Sequence, residues 1–342
     1  MRISNCLSTR WKLCAVRNFT VVVLRGAVHE KLSERSGPTP ADLAGHHRSG
    51  CIHRCDSRCD RSAEGHSLCE HEGCGVSNLT IRASAFGGFF DCAYRFEGTY
   101  LLGMKNAAGV RTLLGSATHS GTAAFDAAHL RGEDITPDDA AGVFVDALRN
   151  PEYDVDVAGD DLSLKEAERI GLTLTAKYCT EIAPQFQYTA VEMTLTPLEI
   201  DCGGGVTITL TGTMDRARAA ETDAGTIIPD VKTGSKVVSN GVANIKARSA
   251  QTGTYQLMYE HTMKEPTAGA QIIALGTSSK TPVAVSPVFD ARRVLVGNEQ
   301  TPGLIQLAAD MFRAGTFPPN PSSVLCSKRY CARWSRCIYR ED

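Results

Sequence analysis

The chain has 342 residues, of which 42% are hydrophobic and 22% charged, and this composition indicates a globular protein of one large domain or two ordinary ones. No apolar run is long enough to span a membrane. The longest, residues 19–28, contains Arg25 and precedes no signal-peptide cleavage site, so we expect a cytoplasmic protein with no membrane partner. The net charge is −2, but the charges are unevenly distributed, because residues 1–75 have 11 Lys and Arg against 8 Asp and Glu and the rest of the chain is acidic. An acidic domain needs a local basic patch to bind nucleic acid.

The first 75 residues differ from the rest of the chain, because they contain seven of the 13 cysteines, six of the nine histidines and little apolar periodicity. The gaps of three between Cys51, Cys55 and Cys59 are not the paired two-residue gaps of a zinc knuckle. We interpret residues 1–75 as a disordered segment or an over-extension of the start site, followed by a folded domain over residues 76–342. A small zinc-dependent regulatory module is the alternative.

From residue 77 onward the pattern is that of an α/β domain. Apolar residues at helical spacing predict helices at residues 84–102, 110–131, 162–182, 243–264 and 303–314. Runs of β-branched residues bounded by turn signals predict strands at residues 186–197, 205–216, 226–232, 270–277 and 282–289. An Asp- and Gly-rich linker at residues 152–161 separates the second helix from the third.

The strand at residues 205–216 has the clearest alternation in the chain, and it predicts Asp215 at the strand end on the polar face. A hairpin connects it to the stretch TIIPDVKTGSK, in which Asp230 and Lys232 share a face because they are two residues apart. Pro229 cannot donate a ladder hydrogen bond, so it predicts an edge strand or a bulge here.

A carboxylate and an ammonium on one strand face are usually a surface ion pair. Here, however, Asp215 lies across the hairpin from Asp230, and paired carboxylates bind a hard cation such as Mg²⁺ well. Lys232 would then lie beside the metal, where an ammonium orients a water or stabilises the charge that develops on a phosphate. These residues indicate metal-assisted hydrolysis of a phosphodiester bond.

The segment GTMDR, followed later by PDVK, resembles the acidic motifs of the PD-(D/E)XK nuclease superfamily and in particular its RecB-like branch. Three more segments are similar to that branch. The histidine motif of the branch resembles LGSATHSG, which contains His119. Its glutamate strand resembles AVEMTLTP, which contains Glu192, and its Gln-x-x-x-Tyr motif resembles QTGTYQLMY. Gln251 and Tyr255 lie on one helix face because they are four residues apart. Each of these residues also has a structural interpretation, as a core histidine, a strand ion pair or a helix-packing residue.

The resemblance implies a restriction-endonuclease-like core, with a central mixed sheet flanked by helices and a helical cap. It implies one or two Mg²⁺ or Mn²⁺ ions with ligands from His119, Asp215, Asp230 and the Val231 carbonyl. Lys232 would position or activate the water. Glu192 would complete the catalytic set, and Gln251 and Tyr255 would support the lysine and its strand.

The opening segment SAFGGFFDCAYRFEGTYLLG also resembles RecB-like nucleases, in which one early cysteine and three late ones staple the chain around an iron–sulfur cluster. CRISPR-associated members and the bacterial AddB subunit have this staple. The matching residues here are Cys92, Cys326, Cys331 and Cys337. Four thiolates suit a [4Fe–4S] cluster, with zinc as the alternative occupant. The gap of four residues after Cys326 departs from the commonest family gap, which leaves the cluster type less defined than the nuclease motifs.

The resemblance implies an exonuclease that hydrolyses single-stranded or end-bearing DNA, independently of its sequence, in recombination or repair in a phage or a bacterium. The chain has no Walker phosphate loop, so a helicase or recombinase partner would be another chain. The candidate phosphate contacts are the tail residues Lys328, Arg329, Arg333, Arg336 and Arg340. The alternative is a catalytically silent DNA-binding accessory protein that keeps the fold and the cluster, but the intact Asp, Asp and Lys set favours the enzyme.

Overall fold

The computed structural model describes residues 77–221 and 224–340. The interpretations of residues 1–75 lie outside the described residues, and the domain boundary at residue 76 stays a prediction. The helices are α1 Ala83–Asp91, α2 Ala93–Phe96, α3 Val110–Arg131, α4 Pro137–Arg149, α5 Leu164–Lys177, α6 Ser249–Met263, α7 Arg293–Val296 and α8 Leu304–Arg313. The strands are β1 Ser77–Arg82, β2 Ala108–Gly109, β3 Val155–Asp156, β4 Ala190–Thr194, β5 Leu198–Asp201, β6 Val206–Thr211, β7 Thr213–Ala219, β8 Thr226–Gly234, β9 Val238–Ser239, β10 Val242–Ala243, β11 Thr267–Gly276 and β12 Val283–Val285.

The centre of the fold is a five-stranded sheet with the strand order β12-β11-β8-β7-β4. Strands β8 and β11 are parallel, whereas the other neighbours are antiparallel, so the sheet is mixed. A second sheet has the order β1-β6-β5, with β1 parallel and β5 antiparallel to β6. The short strands form two further pairs, β2 with β3 and β9 with β10.

Helices cover both faces of the central sheet. On one face α3, α4 and α5 share a buried cluster with Val231, Ile273 and Leu275. On the other face α1, α6 and α8 pack with Met214 and Ile228. A strand that is buried on both faces is apolar along its length, and each such buried side chain contributes about 1.5–3 kcal/mol. The predicted fold class, an α/β domain with a central mixed sheet flanked by helices, is confirmed.

The five predicted helices are present, and α4 is an additional helix that the sequence analysis missed. The helix predicted at residues 84–102 is interrupted at Cys92, where the backbone is extended (φ −154°, ψ 99°), and it continues as α2 and a π-helical turn at Glu97–Leu101. No helix within residues 77–221 and 224–340 has the length and apolar character needed to cross a lipid bilayer.

The strand predicted at residues 205–216 is divided between the two sheets at Gly212. A Cβ atom at this position would lie 3.0 Å from the Tyr255 ring and 3.2 Å from the Ala83 side chain. The chain therefore passes close to α6 and α1 at the point where it changes sheet. As a result Asp215 lies in the interior of β7, and its predicted position at a strand end is wrong.

Strand β8 is not an edge strand and has no bulge at Pro229, because β11 pairs regularly on one side and β7 lies on the other, but at Pro229 itself the β7 side carries no ladder pair. The β7–β8 pairing extends along β8 only as far as Ile227. Alternate backbone N–H groups of a strand point to the same neighbour, and the N–H of Val231 points to β7, where it bonds Asp215. The backbone nitrogen of Pro229 also points towards β7, but it lies beyond the last β7–β8 pair. Its missing N–H therefore removes no hydrogen bond from the ladder.

Candidate active site

Helix α3 places His119 against two strands of the central sheet. The helix packs closely on α4 at Gly121, where a Cβ atom would lie 2.8 Å from the Ala140 carbonyl oxygen. His119 Nε2 lies 3.1 Å from Asp215 Oδ2 and 3.4 Å from Glu192 Oε1. The ligand atoms of these three side chains lie within 4.8 Å of one another, and this is the one such group of His, Cys, Asp and Glu in the described part of the chain. We call it the metal-ligating group.

Asp215 is buried in β7, where 7% of the residue is exposed. Its Oδ2 accepts the backbone N–H of Val231 at 2.8 Å, so the carboxylate replaces a ladder carbonyl between β7 and β8. Because Val231 lies between Asp230 and Lys232, this hydrogen bond places the metal-ligating group beside the Asp-x-Lys segment. Burial and the bond to the backbone together restrict the carboxylate to one position.

Glu192 completes the group from β4 with a left-handed backbone (φ 51°). Its neighbours Val191 and Met193 pair regularly with Arg216 and Met214, so the deviation is confined to one residue. A left-handed conformation costs a residue with a side chain about 1–2 kcal/mol. The hydrogen bond from Arg216 Nη1 to Glu192 Oε1, at 3.0 Å, helps to hold it. Strain of this kind concentrates at functional sites.

Asp230 connects the strand to helix α6. Lys232 Nζ lies 2.7 Å from Asp230 Oδ2. On the helix side, Gln251 Nε2 lies 3.4 Å from Asp230 Oδ1 and 3.1 Å from Tyr255 Oη. Gln251 thus contacts the carboxylate that pairs with Lys232, and Tyr255 contacts Gln251, while their supporting role stays a prediction.

A sequence model of the PD-(D/E)XK nuclease superfamily matches residues 81–338, which include every residue of this site. The chain belongs to the PD-(D/E)XK nuclease superfamily. No curated protein matches the chain. The predicted superfamily is thus confirmed, and its members are nucleases that use divalent metal ions. The RecB-like branch and the individual site roles stay predictions.

The residues of this nuclease-superfamily site fit a divalent metal ion. The metal-ligating group offers two carboxylates and an imidazole, and carboxylate oxygens are the ligands that Mg²⁺ and Mn²⁺ prefer. Asp230 Oδ2 is buried and lies 2.7 Å from the Lys232 ammonium, which already balances its charge. Asp230 and the Val231 carbonyl lie outside the compact group, and their roles as ligands stay predictions.

The charges of the site shift its titrating groups in different directions. Burial alone would raise the pKa of Asp215, but the hydrogen bond and charge of His119 outweigh it and hold that pKa well below its usual value. Burial raises the pKa of Asp230 to about 6, although Lys232 opposes the shift. For His119, burial would lower the pKa, but the hydrogen bond and charge of Asp215 raise it above its usual value. Without a metal ion Asp215 is therefore ionised, whereas burial raises the pKa values of both Asp230 and Glu192.

The sequence analysis missed a buried network behind the metal-ligating group. Arg216 is fully buried, with Nε 2.6 Å from Asp126 Oδ2 and Nη1 bonded to Glu192. Asp126 also accepts the Tyr178 hydroxyl at 2.5 Å, and that hydroxyl lies 3.2 Å from the hydroxyl of Tyr188. The available signal was the arginine directly after the aspartate of β7. A buried guanidinium needs a carboxylate partner, and helix α3, which carries His119, supplies it as Asp126.

The four predicted cluster cysteines line one cavity, together with apolar residues. The C-terminal tail reaches this place through Asn320 and Ser323, whose side chains bond the Asp91 carbonyl at 2.7 Å and the Asp91 carboxylate at 2.6 Å. Among the described residues no three of the sulfur atoms lie within 4.8 Å of one another. A tetrahedral zinc site, with Zn–S bonds of about 2.3 Å, needs sulfur atoms about 3.8 Å apart. The iron–sulfur cluster and the alternative zinc ion both stay predictions.

Two arginines of the basic tail are used within the fold. Arg329 pairs with Asp160, and Arg333 pairs with Glu97 and lies over the ring of Tyr94. These contacts attach the tail to the body of the domain. The predicted phosphate contacts of the basic run therefore cannot involve these two guanidinium groups without breaking an ion pair.

Replacing Asp230 by asparagine is expected to stabilise the metal-free protein at pH 8 and to leave it little changed at pH 4. The folded pKa of about 6 exceeds the unfolded value of about 3.9, so the folded state binds more protons between them. The contribution of Asp230 to stability is thus fully present below pH 4 and is lost as the pH rises through 6, by up to about 3 kcal/mol. Urea unfolding in EDTA at both pH values measures this. A stability difference that is equal at pH 4 and pH 8 would contradict the assignment.

Proposed function

We propose that the protein is a metal-dependent deoxyribonuclease that hydrolyses the phosphodiester bonds of single-stranded or end-bearing DNA. The observation that carries the proposal is the convergence of His119, Glu192 and Asp215 beside the Asp230–Lys232 pair. The Val231 N–H that bonds Asp215 joins the two sets, so a phosphate at the metal-ligating group would also be next to the lysine. Superfamily membership supports the same reaction class.

In this proposal each side chain has a physical role. A bound divalent metal would supply Lewis-acid polarisation of the scissile phosphate, and His119, Asp215 and Glu192 would hold it. Lys232 would orient the attacking water and balance the negative charge that develops on the phosphate oxygens. Asp230 would fix the lysine, and Gln251 of α6 would hold Asp230 in turn. A preorganised ammonium of this kind costs no reorganisation when the reaction occurs.

We further propose that the enzyme acts as an exonuclease in recombination or repair, and that it belongs to the RecB-like branch. The support is the order of the His119, Glu192, Asp-x-Lys and Gln-x-x-x-Tyr segments along the chain. Sequence-independent contact with DNA and a helicase or recombinase partner on another chain belong to the same proposal. The phage or bacterial setting rests on the resemblance alone.

The experiment that tests the reaction compares linear and covalently closed circular single-stranded DNA of the same sequence, with Mn²⁺, with Mg²⁺ and with EDTA. An exonuclease degrades the linear strand in the presence of metal and leaves the circle intact. Cleavage of the circle would replace the exonuclease by an endonuclease. Cleavage of neither strand would overturn the proposal and favour the silent accessory protein.

The cysteine cavity is proposed to hold a [4Fe–4S] cluster, because the four cysteines that match the RecB-like staple all line it and four thiolates suit such a cluster. Cys331→Ala is expected to remove the visible absorption band of the anaerobically purified protein and to lower its unfolding temperature, since the staple between α1 and the tail is lost. Cys202→Ala is the matched control, because Cys202 does not line the cavity. Stoichiometric zinc without iron in the wild type would contradict the cluster.

A further inference from the structure

The described residues form a second cleft that the proposed hydrolysis does not use. Its volume is ≈ 560 Å³, which lies in the range of small-ligand sites. Its lining includes the aromatic rings of Phe125, Phe186 and Tyr188 and the polar side chains of Asp126, His129 and Gln187. Phe186 and Tyr188 are half-buried, so part of each ring is exposed to a ligand.

Two connections place this cleft next to the metal-ligating group. Helix α3 carries His119 and, seven residues later, Asp126 of the cleft, an offset of about 10 Å along the helix axis. Arg216 bonds Asp126 on the cleft side and Glu192 on the metal side. Stacked nucleotides of one strand repeat at about 3.4 Å, so the cleft lies roughly three nucleotides from the metal-ligating group.

The rings of the cleft are held in place, and a cation lies at its edge. Phe186 and Tyr188 have ring centroids 5.9 Å apart, and the Tyr188 hydroxyl lies 3.2 Å from that of Tyr178. The Arg218 guanidinium lies over the Phe186 ring at 5.1 Å and also bonds Gln271 at 3.1 Å. Aromatic faces beside a positively charged group are the features by which proteins bind single strands, because bases stack on the rings and the charge attracts the phosphates.

We propose that this cleft receives an unpaired base of a single-stranded DNA substrate, stacked on Phe186 and Tyr188, about three nucleotides from the scissile phosphate. The inference rests on the proposed nuclease function and deepens it, because a base inside a duplex is paired and stacked on its neighbours and cannot enter. The substrate is thus a strand that is unpaired at this place. The link from buried Asp126 through buried Arg216 to Glu192 fixes the position of the cleft relative to the metal-ligating group.

The test measures binding of the full chain to short DNA in EDTA, so that no strand is cleaved. The strands carry 2-aminopurine at successive positions, and its fluorescence falls when it stacks on an aromatic ring. The variants are Phe186→Ala and Phe186→Leu, the second of which keeps apolar volume without a flat ring. Tyr100→Ala is the control, because Tyr100 is 49% exposed and lies outside the cleft.

We expect quenching at one or two positions of the single strand in the wild type and in Tyr100→Ala. In both Phe186 variants we expect the quenching to disappear and single-strand affinity to fall by about 5- to 150-fold, with duplex affinity unchanged. Unchanged quenching and affinity in either folded Phe186 variant would overturn the inference. Cleavage is measured separately. Quenching without metal-dependent cleavage would overturn the nuclease function and support base binding in the cleft. Metal-dependent cleavage without quenching would support the nuclease function and overturn base binding in the cleft.

Discussion

Lys232→Ala is expected to lower the rate of metal-dependent DNA cleavage by about 10²- to 10⁴-fold, with little change in DNA affinity. Lys232 Nζ lies 2.7 Å from Asp230 Oδ2, and this pair adjoins Asp215 through the Val231 N–H. The ammonium is therefore held where negative charge develops during attack on a phosphate. Removing a group that acts mainly in the transition state lowers kcat rather than binding.

The matched control is Lys165→Ala, because Lys165 is an exposed lysine in the first turn of α5. This variant loses the same charge and is expected to keep the wild-type rate. Single-turnover cleavage of end-labelled DNA measures both variants with DNA affinity determined in parallel. A Lys232→Ala protein that is folded and cleaves at the wild-type rate would exclude Lys232 from the reaction.

Asp215→Asn is expected to abolish both metal binding and cleavage while the fold persists. Asp215 lies within 4.8 Å of the other ligand atoms, and the asparagine would offer only a neutral oxygen to the cation. The side-chain oxygen still accepts the Val231 N–H, so the link between β7 and β8 remains. A ligand at 100 times its Kd stabilises a folded protein by about 2.7 kcal/mol, and the variant should lose this gain.

Thermal unfolding with and without Mn²⁺ measures that loss directly. The wild type is expected to unfold at a higher temperature with metal, and Asp215→Asn at the same temperature in both conditions. The control is Asp134→Asn, because Asp134 is an exposed aspartate in the loop before α4 and should respond to metal like the wild type. A metal-induced shift of equal size in Asp215→Asn would show that the ion binds elsewhere.

Helices and strands with a single strong pattern could be predicted from the sequence, and those decided by tertiary contacts could not. Helix α3 matches its predicted bounds at residues 110–131, because small and apolar residues recur along it until Gly132, whose left-handed backbone ends it. Helix α4 was missed although its start carries a local signal. Thr136 caps Asp139 in a capping box, with Pro137 in the first turn. The division of the long strand at Gly212 depends on Tyr255 and is not visible locally.

The candidate site divides in the same way. The shared face of Asp230 and Lys232 follows from strand periodicity, and the ion pair between them follows from that face. The contact between His119 and Glu192 joins residues far apart in the chain, and it depends on the left-handed backbone at Glu192, which no local pattern indicates. Asp126, the partner of Arg216, lies 90 residues away in the chain. The sequence can therefore indicate that a buried arginine needs an acidic partner, but it does not indicate which residue that partner is.

The most direct test of the central claim is the release of labelled product from linear single-stranded DNA by the purified full chain, with Mn²⁺ and with EDTA, for the wild type and Asp215→Asn in parallel. The site geometry predicts degradation by the wild type in Mn²⁺ only, and none by the variant. No degradation by the folded, metal-supplied wild type would contradict the claim that these residues form a working nuclease site. Degradation that persists in EDTA or in Asp215→Asn would contradict it equally, because the activity would then arise elsewhere.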